Sequence, residues 1–150
     1  MTTTNLELKI LLVEDNPADA ELTLDALQDA GIVNQVQWVK DGAEALDVLF
    51  GHGAKAAAEG TDLRLIMLDL RLPRVDGLEV LRAIRADVRT KRLPVAVLTS
   101  SREESDVVRA YDLGANSYIV KPVDSEAFMK VVKELGLYWM LLNKLPGQTI

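Results

Sequence analysis

The sequence of 150 residues contains no cysteine and a single histidine, His52. The absence of cysteine excludes disulfide bonds and thiolate metal sites, and it fits a reducing compartment. The longest apolar run, LYWMLL at residues 137–142, is far shorter than the ~20 residues that a membrane-spanning helix needs. The N-terminus, MTTTNLELK, lacks the basic and apolar regions of a signal peptide. We therefore expect a cytoplasmic protein.

An excess of basic residues is also missing. Lys and Arg together number 17, Asp and Glu number 23, and the formal net charge is −6. Such a charge repels nucleic acid phosphates and anionic membrane surfaces, so we expect neither as a partner. Hydrophobic residues make up 49% of the chain, which is typical of one globular domain with room for a single core.

Short apolar runs alternate with longer segments of helical periodicity. Runs of strand length with several β-branched residues predict strands at residues 9–13, 36–39, 65–68, 95–98 and 117–120. Strands that alternate with helices need crossover connections, which produce a parallel sheet with helices on both faces. The predicted fold is a doubly wound, five-stranded α/β domain over residues 1–150.

Capping residues mark four predicted helix starts. Asn16 precedes Pro17, whose missing N–H costs nothing at the first position of a helix, and Gly31 ends that helix. Three further starts place a capping side chain three residues before a glutamate: Asp41 before Glu44, Asp76 before Glu79, and Ser101 before Glu104. The weakest pattern lies at residues 51–62, where we expect a surface loop that contains His52 and a helical turn at 56–58.

Polar residues follow four of the five predicted strands. They are Glu14 and Asp15, Asp69, Thr99 and Ser100, and Lys121. The carboxyl ends of parallel strands meet at one edge of the sheet, where such folds bind ligands. Three carboxylates crowded there repel one another by about 1–4 kcal/mol per pair unless a cation joins them. The pattern predicts a divalent cation, most simply Mg²⁺, that shares its coordination shell with a phosphate.

The same cluster predicts phosphoryl transfer. Asp69, at its centre, is the candidate nucleophile and would become an acyl phosphate. Lys121 can neutralise one phosphoryl oxygen, and Thr99 can donate a hydrogen bond to another. A salt bridge from Lys121 to one of the acids is the structural alternative, and the two roles overlap.

Four segments, LLVEDN, MLDLRLPRVDG, VLTSS and YIVKP, resemble the motifs of receiver domains of two-component response regulators, in order and at the family's spacing over residues 9–128. The resemblance implies a chemotaxis-protein-like, flavodoxin-like fold. It also implies Mg²⁺-dependent phosphorylation of Asp69 by a sensor histidine kinase. Such a domain is a signalling phosphoacceptor rather than an enzyme, although it assists its own phosphorylation and slow dephosphorylation.

The family's metal ligands carry over residue by residue. The resemblance implies that Asp15 and Asp69 bind the metal directly, that the backbone carbonyl of Arg71 completes the protein ligands, and that Glu14 acts mainly through water. Mn²⁺ is expected to be able to replace Mg²⁺. Glu14 is longer than the aspartate that receivers often carry, and the cation of Arg71 lies near the mouth of the site. We expect Arg71 to pair with Glu14 or to screen attacking water.

Thr99 and Tyr118 match the family's switch pair. On phosphorylation, Thr99 is expected to move towards the phosphate and Tyr118 to turn from solvent into the vacated space. This rotation would alter a signalling surface formed by the fourth helix, the fifth strand and the fifth helix. Without the resemblance, Tyr118 is a half-buried strand tyrosine that packs on its neighbour.

The C-terminal segment, residues 124–145, begins with one apolar face, but from Leu135 apolar residues surround the helix. A helix that is apolar all round needs cover on more than one side. We expect a homodimer interface at Leu137, Trp139, Met140 and Leu142. The alternative is that this segment packs over the first helix as additional core. The aromatic C-terminus and the long loop before the third strand resemble small single-domain regulators of bacterial phytochrome histidine kinases, which implies such a kinase as phosphodonor.

No output domain is predicted, so the signal is expected to pass to an unknown downstream protein by docking or phosphate relay. An aspartyl-nucleophile phosphatase of related α/β fold is the alternative function. A chain that resembles those enzymes would have a D-x-D pattern at this place, whereas Leu70 and Arg71 follow Asp69 here. A flavin or nucleotide binder would need a glycine-rich or hydroxyl-rich phosphate loop after the first strand, where this chain has Glu14 and Asp15.

Overall fold

The computed structural model describes residues 8–32, 35–51 and 63–143. The elements in chain order are β1 (Ile10–Val13), α1 (Pro17–Asp29), β2 (Val36–Val39), α2 (Gly42–Phe50), β3 (Leu65–Leu68), α3 (Gly77–Ala86), β4 (Val95–Thr99), α4 (Glu104–Asp112), β5 (Ser117–Val120), α5 (Ser125–Leu137) and a π-helical segment (Tyr138–Leu142). All strands are parallel, in the order β2-β1-β3-β4-β5. The predicted doubly wound, five-stranded fold is confirmed.

The predicted strands agree with the structure to within one residue at each end. β1 begins at Ile10, and β4 extends to Thr99, which is therefore the last residue of the strand and not the first beyond it. His52 and the predicted helical turn at 56–58 lie outside the described residues.

Alternate residues of the central strands point into two separate cores. The core beneath α2, α3 and α4 takes Leu11, Val13, Ile66 and Leu68. The core beneath α1, α5 and the π-helical segment takes Ile10, Leu12, Leu65 and Met67. Because both faces of β1 and β3 are covered, their sequences are continuously apolar rather than alternating.

Three of the four predicted helix caps are confirmed. Backbone N–H groups of the first turn donate to the side chains of Asn16, Asp41 and Asp76. The predicted Ser101 cap is wrong, because α4 follows Glu103 and the Ser101 hydroxyl donates instead to the carboxylate of Asp106 at 2.6 Å. The Ser101 hydroxyl, which the sequence pattern assigned to the helix end, is thus hydrogen-bonded to the buried side chain of Asp106.

α5 packs closely against α1. Gly136 is buried at this contact, and a Cβ there would lie 2.8 Å from the side chain of Leu27 and 3.0 Å from that of Ile32. A larger residue at this position would require the side chains of Leu27 and Ile32 to move. Within the described residues, no helix combines the length and the apolar character needed to cross a bilayer.

The π-helical segment divides the residues of the predicted dimer interface. Met140 is buried in the core beneath α1 and α5, and Trp139 packs against that core. The carbonyl of Met140 also accepts a hydrogen bond from Arg64 at 3.1 Å. Placing Met140 on a free surface was therefore wrong, because the chain's own core already covers it. Leu142, by contrast, is 75% exposed.

Candidate functional site

The carboxyl ends of β1, β3 and β5 position the site through backbone hydrogen bonds. The N–H groups of Glu14, Asp69 and Lys121 each donate to a carbonyl of a neighbouring strand, at 3.1, 3.1 and 2.8 Å. Gly77 allows α3 to begin directly beside this edge, because a Cβ there would collide with the carbonyl of Asp69. The functional side chains therefore start from fixed points of the sheet and not from a free loop.

Glu14, Asp15 and Asp69 form the predicted acid cluster. One carboxylate oxygen from each lies within 4.8 Å of the others. Glu14 and Asp69 are buried, whereas Asp15 is exposed and leaves the cluster open to water. A set of oxygen donors with an open side suits Mg²⁺ or Mn²⁺, which keep several waters in their coordination shells. The donor set therefore fits a divalent cation.

Lys121 joins the acids from the side of β5. Its Nζ atom lies 2.8 Å from Glu14 Oε1, 3.0 Å from Asp69 Oδ2 and 2.8 Å from Asp19 Oδ2. Three acceptors thus match the three N–H donors of the ammonium group. The salt bridge expected for Lys121 is present, and it includes Asp19, a residue that sequence reasoning missed. In the sequence, Asp19 reads only as an acid favoured in the first turn of a helix.

Burial and the close charges shift the pKa values of Glu14 and Lys121. Burial raises the pKa of Glu14 to about 7, repulsion from Asp69 adds to the rise, and the contacts with Lys121 oppose it. Burial acts to lower the pKa of Lys121, but the hydrogen bonds to Asp19 and Glu14 outweigh burial and raise it. The single ammonium therefore stays charged without neutralising the acids completely, as expected for a site that takes a further cation.

Thr99 and Tyr118 lie beside this cluster on adjacent strands. Thr99 is fully buried, and its hydroxyl oxygen accepts a long hydrogen bond, 3.4 Å, from the N–H of Ser101. The Tyr118 ring is half-buried against the core, and its hydroxyl donates to the carbonyl of Ser101 at 3.0 Å. Burial raises the pKa of the Tyr118 phenol. Both side chains of the predicted switch pair thus contact the same residue of the β4–α4 loop.

Arg71 does not pair with Glu14. Its Nη2 atom lies 2.6 Å from Asp106 Oδ2 and 3.2 Å from Glu103 Oε1, at the start of α4. The expected pair was wrong, because Lys121 already occupies Glu14 and the α4 carboxylates offer the guanidinium partners. The backbone of Arg71 does reach the site, since its N–H donates to Asp69 Oδ1 at 3.2 Å.

A family model described as the response regulator receiver domain matches residues 10–133. The chain belongs to this family. The predicted membership of the receiver family is therefore confirmed, and the alternative of an aspartyl-nucleophile phosphatase is not favoured. Receiver domains are phosphoacceptors that act with histidine kinases in two-component signalling.

Two curated relatives match along nearly the whole chain. The probable methanogenesis regulatory protein FilR2 of Methanothrix harundinacea is 43% identical, and the match covers 92% of this chain and 87% of FilR2. Response regulator Rcp1 of Synechocystis is 36% identical, with 92% of each chain covered.

Solved structures give the same picture. The phosphorylated cyanobacterial phytochrome response regulator RcpA matches with a TM-score of 0.84 and 40% identity, over 93% of this chain and 99% of RcpA. The Mn²⁺-bound form of Rcp1 matches with a TM-score of 0.83 and 36% identity, over 93% and 99% of the two chains. The bacteriophytochrome response regulator RtBRR is 49% identical, with a TM-score of 0.70 over 93% and 85%. The receiver fold and the similarity to phytochrome response regulators are thus both confirmed.

Proposed function

We propose that this receiver domain accepts a phosphoryl group on Asp69 from a histidine kinase in a Mg²⁺-dependent reaction. The observation that carries the proposal is the position of the Asp69 carboxylate. It lies at the end of β3, 3.0 Å from Lys121 Nζ and within the acid cluster with Glu14 and Asp15. A buried carboxylate in these surroundings is stabilised by cations on its open side.

The reaction forms one bond and breaks another. An oxygen of Asp69 attacks the phosphorus of a phosphohistidine, the P–N bond breaks, and the imidazole keeps the electron pair and takes up a proton. The Lys121 ammonium donates to a phosphoryl oxygen on which negative charge develops, and the Thr99 hydroxyl donates to another phosphoryl oxygen. Water later attacks the acyl phosphate and releases phosphate, so the domain assists both steps without being an enzyme that acts on a separate substrate.

Residues for the metal are proposed from the same cluster. Asp15 and Asp69 would hold Mg²⁺ or Mn²⁺ directly together with the backbone carbonyl of Arg71, and Glu14 would act through water. The ion supplies neutralisation of the charge on the phosphoryl oxygens. The exposed side of Asp15 leaves room for the waters and the phosphodonor.

A switch then carries the phosphorylation signal to the surface. Movement of Thr99 towards the phosphoryl group would disturb its contact with Ser101, which also holds the Tyr118 hydroxyl. Tyr118 would then settle in a new position and change the surface of α4, β5 and α5. That surface is our candidate for contact with the downstream protein.

We further propose that the phosphodonor is a phytochrome histidine kinase and that the chain forms a homodimer. Support for the kinase comes from the similarity to RcpA, Rcp1 and RtBRR. Support for the dimer comes from the exposed apolar residues of the π-helical segment, Tyr138, Leu141 and Leu142. Among the residues predicted at the interface, Leu142 is the most exposed, and Leu137 and Trp139 are partly exposed.

The test is incubation with acetyl phosphate and Mg²⁺, followed by measurement of intact mass. We expect one added phosphoryl group in the wild type and none in Asp69→Asn, because an amide cannot act as the nucleophile. Asp112→Asn, at an exposed position on α4, is the matched control and should be phosphorylated normally. Sustained hydrolysis of a small phosphate ester such as p-nitrophenyl phosphate, with no added mass, would instead favour the phosphatase.

A further inference from the structure

The third partner of Lys121 differs from the other two. Asp19 Oδ2 lies 2.8 Å from Lys121 Nζ, yet Asp19 is not one of the three residues of the acid cluster. It belongs to the first turn of α1, and its side chain is 26% exposed whereas that of Lys121 is 7% exposed. Asp19 therefore contacts the ammonium group from outside the proposed metal site.

Two neighbouring side chains, those of Asn16 and Thr23, hold the backbone of Asp19 in place. Its N–H donates to the capping side chain of Asn16 at 3.2 Å, and its carbonyl accepts from the hydroxyl of Thr23, a buried residue, at 2.8 Å. A short side chain on a fixed backbone leaves the Asp19 carboxylate few positions, and the structure places it on Lys121 Nζ. Such support from neighbouring groups is what keeps a reactive side chain in its productive geometry.

The remaining two partners change during the proposed reaction. Asp69 becomes an acyl phosphate, so its negative charge moves onto the phosphoryl oxygens. Glu14 must share its charge with the cation. Of the three acceptors of Lys121, Asp19 alone has no other role in that reaction and keeps its carboxylate available throughout.

We propose that Asp19 is a positioning residue for phosphoryl transfer, an inference that rests on the proposed function. It holds the Lys121 ammonium at the edge of the cluster and partly neutralises the charge of this group. Without Asp19, the ammonium bonds only to Glu14 and Asp69 and competes more strongly with the divalent cation for their oxygens. Asp19 thereby favours binding of the metal and keeps one N–H of Lys121 directed at the incoming phosphoryl group.

A double-mutant cycle on the full chain tests this inference, with Mg²⁺ affinity as the readout. Trp38 reports on the site, because its indole N–H donates to the carbonyl of Glu14 at 2.8 Å. Fluorescence titration should show that Asp19→Asn weakens Mg²⁺ binding by about fivefold, the size expected for a close charged pair. Phosphorylation by acetyl phosphate should slow by at least as much.

Lys121→Met provides the second arm of the cycle. We expect it to tighten Mg²⁺ binding because the competing ammonium is gone, and we expect Asp19→Asn to have no further effect in its presence. Lys121→Gln replaces Lys121→Met if the latter does not fold, as judged by thermal unfolding. Asp25→Asn removes the same charge from an exposed position further along α1 and measures the general effect of lost negative charge.

Two results would overturn the inference. One is an effect of Asp19→Asn on Mg²⁺ affinity no larger than that of Asp25→Asn. The other is an effect that persists in full beside Lys121→Met, since Asp19 would then act independently of the lysine. Failure of the proposed function is a separate result: the wild type would gain no phosphoryl mass, whereas the Mg²⁺ cycle needs no phosphorylation.

Discussion

The guanidinium of Arg71 lies 2.6 Å from the carboxylate of Asp106 and joins the loop after β3 to the first turn of α4. Asp106 is only 7% exposed, and it also accepts the hydroxyl of Ser101 at 2.6 Å. The carbonyl of Ser101 in turn accepts the hydroxyl of Tyr118. A continuous series of contacts therefore runs from the residue two positions after Asp69 to the proposed switch tyrosine.

Arg71→Ala should shorten the lifetime of the phosphorylated form without preventing phosphorylation. The guanidinium pairs with the acids of α4 rather than with the nucleophile, so acceptance of the phosphoryl group should continue. Its removal opens the mouth of the site to attacking water. Decay of the phosphorylated mass at fixed Mg²⁺ measures the effect.

The matched control for this prediction is Arg74→Ala. Arg74 is an exposed arginine of the same loop, and it pairs at 3.9 Å with Asp41, the residue that caps α2. A decay rate that is the same in Arg71→Ala as in Arg74→Ala and the wild type would show that Arg71 does not protect the acyl phosphate.

Tyr118→Phe should lower the free energy of unfolding by about 1 kcal/mol, because it deletes one half-buried hydrogen bond and keeps the ring. Urea denaturation measures the change. Tyr111→Phe is the control: Tyr111 is 50% exposed on α4, and a change within about 0.5 kcal/mol is expected there. Equal effects of the two variants would contradict a role for the Tyr118 hydroxyl.

Thr99→Ala should separate phosphorylation from the switch. The variant keeps Asp69 and Lys121, so phosphoryl mass should still appear, although more slowly because one hydrogen-bond donor is lost. The ring resonances of Tyr118, followed by NMR, should shift on phosphorylation of the wild type and stay unchanged in Thr99→Ala. A full shift in the variant would mean that Tyr118 moves independently of Thr99.

Mg²⁺ should stabilise the folded chain, since the acid cluster exists only when β1 and β3 are paired. At a Mg²⁺ concentration of 100 times the Kd, the expected gain is about 2.7 kcal/mol. Asp15→Asn should lose most of this gain, and EDTA should reverse the gain in the wild type. Thermal unfolding with and without Mg²⁺ measures both, with Asp112→Asn as the control. The same gain in Asp15→Asn would exclude Asp15 as a ligand.

Two substitutions in the π-helical segment should separate assembly from stability, since one residue is exposed and the other is buried. Leu142→Glu places a charge on a 75% exposed residue, so we expect a shift from dimer to monomer in analytical ultracentrifugation with little loss of stability. Met140→Ala removes a buried side chain and should cost about 2 kcal/mol of unfolding free energy. A wild-type chain that is already monomeric at high concentration would refute the proposed dimer.

Local chemistry explains how much of the molecule could be predicted. The runs at β1 and β3 are apolar throughout because both faces of a central parallel strand are covered, and this leaves a clear signal in the sequence. Asn16, Asp41 and Asp76 cap helices through atoms a few residues away. The acids at the strand ends were readable for a related reason, since parallel pairing brings those ends to one edge whatever the detailed packing.

The sequence alone thus determined the five strands, the edge of the sheet that carries the site and the acids that gather there. Only the tertiary structure decided which charged groups pair, because those partners are far apart in the chain. Lys121 meets Asp19 across 102 positions, and Arg71 meets Asp106 across 35. Met140 is likewise buried because α5 docks on α1 and carries the following turn into the core. Distances between separately folded segments are set by packing, and no local pattern in the sequence records them.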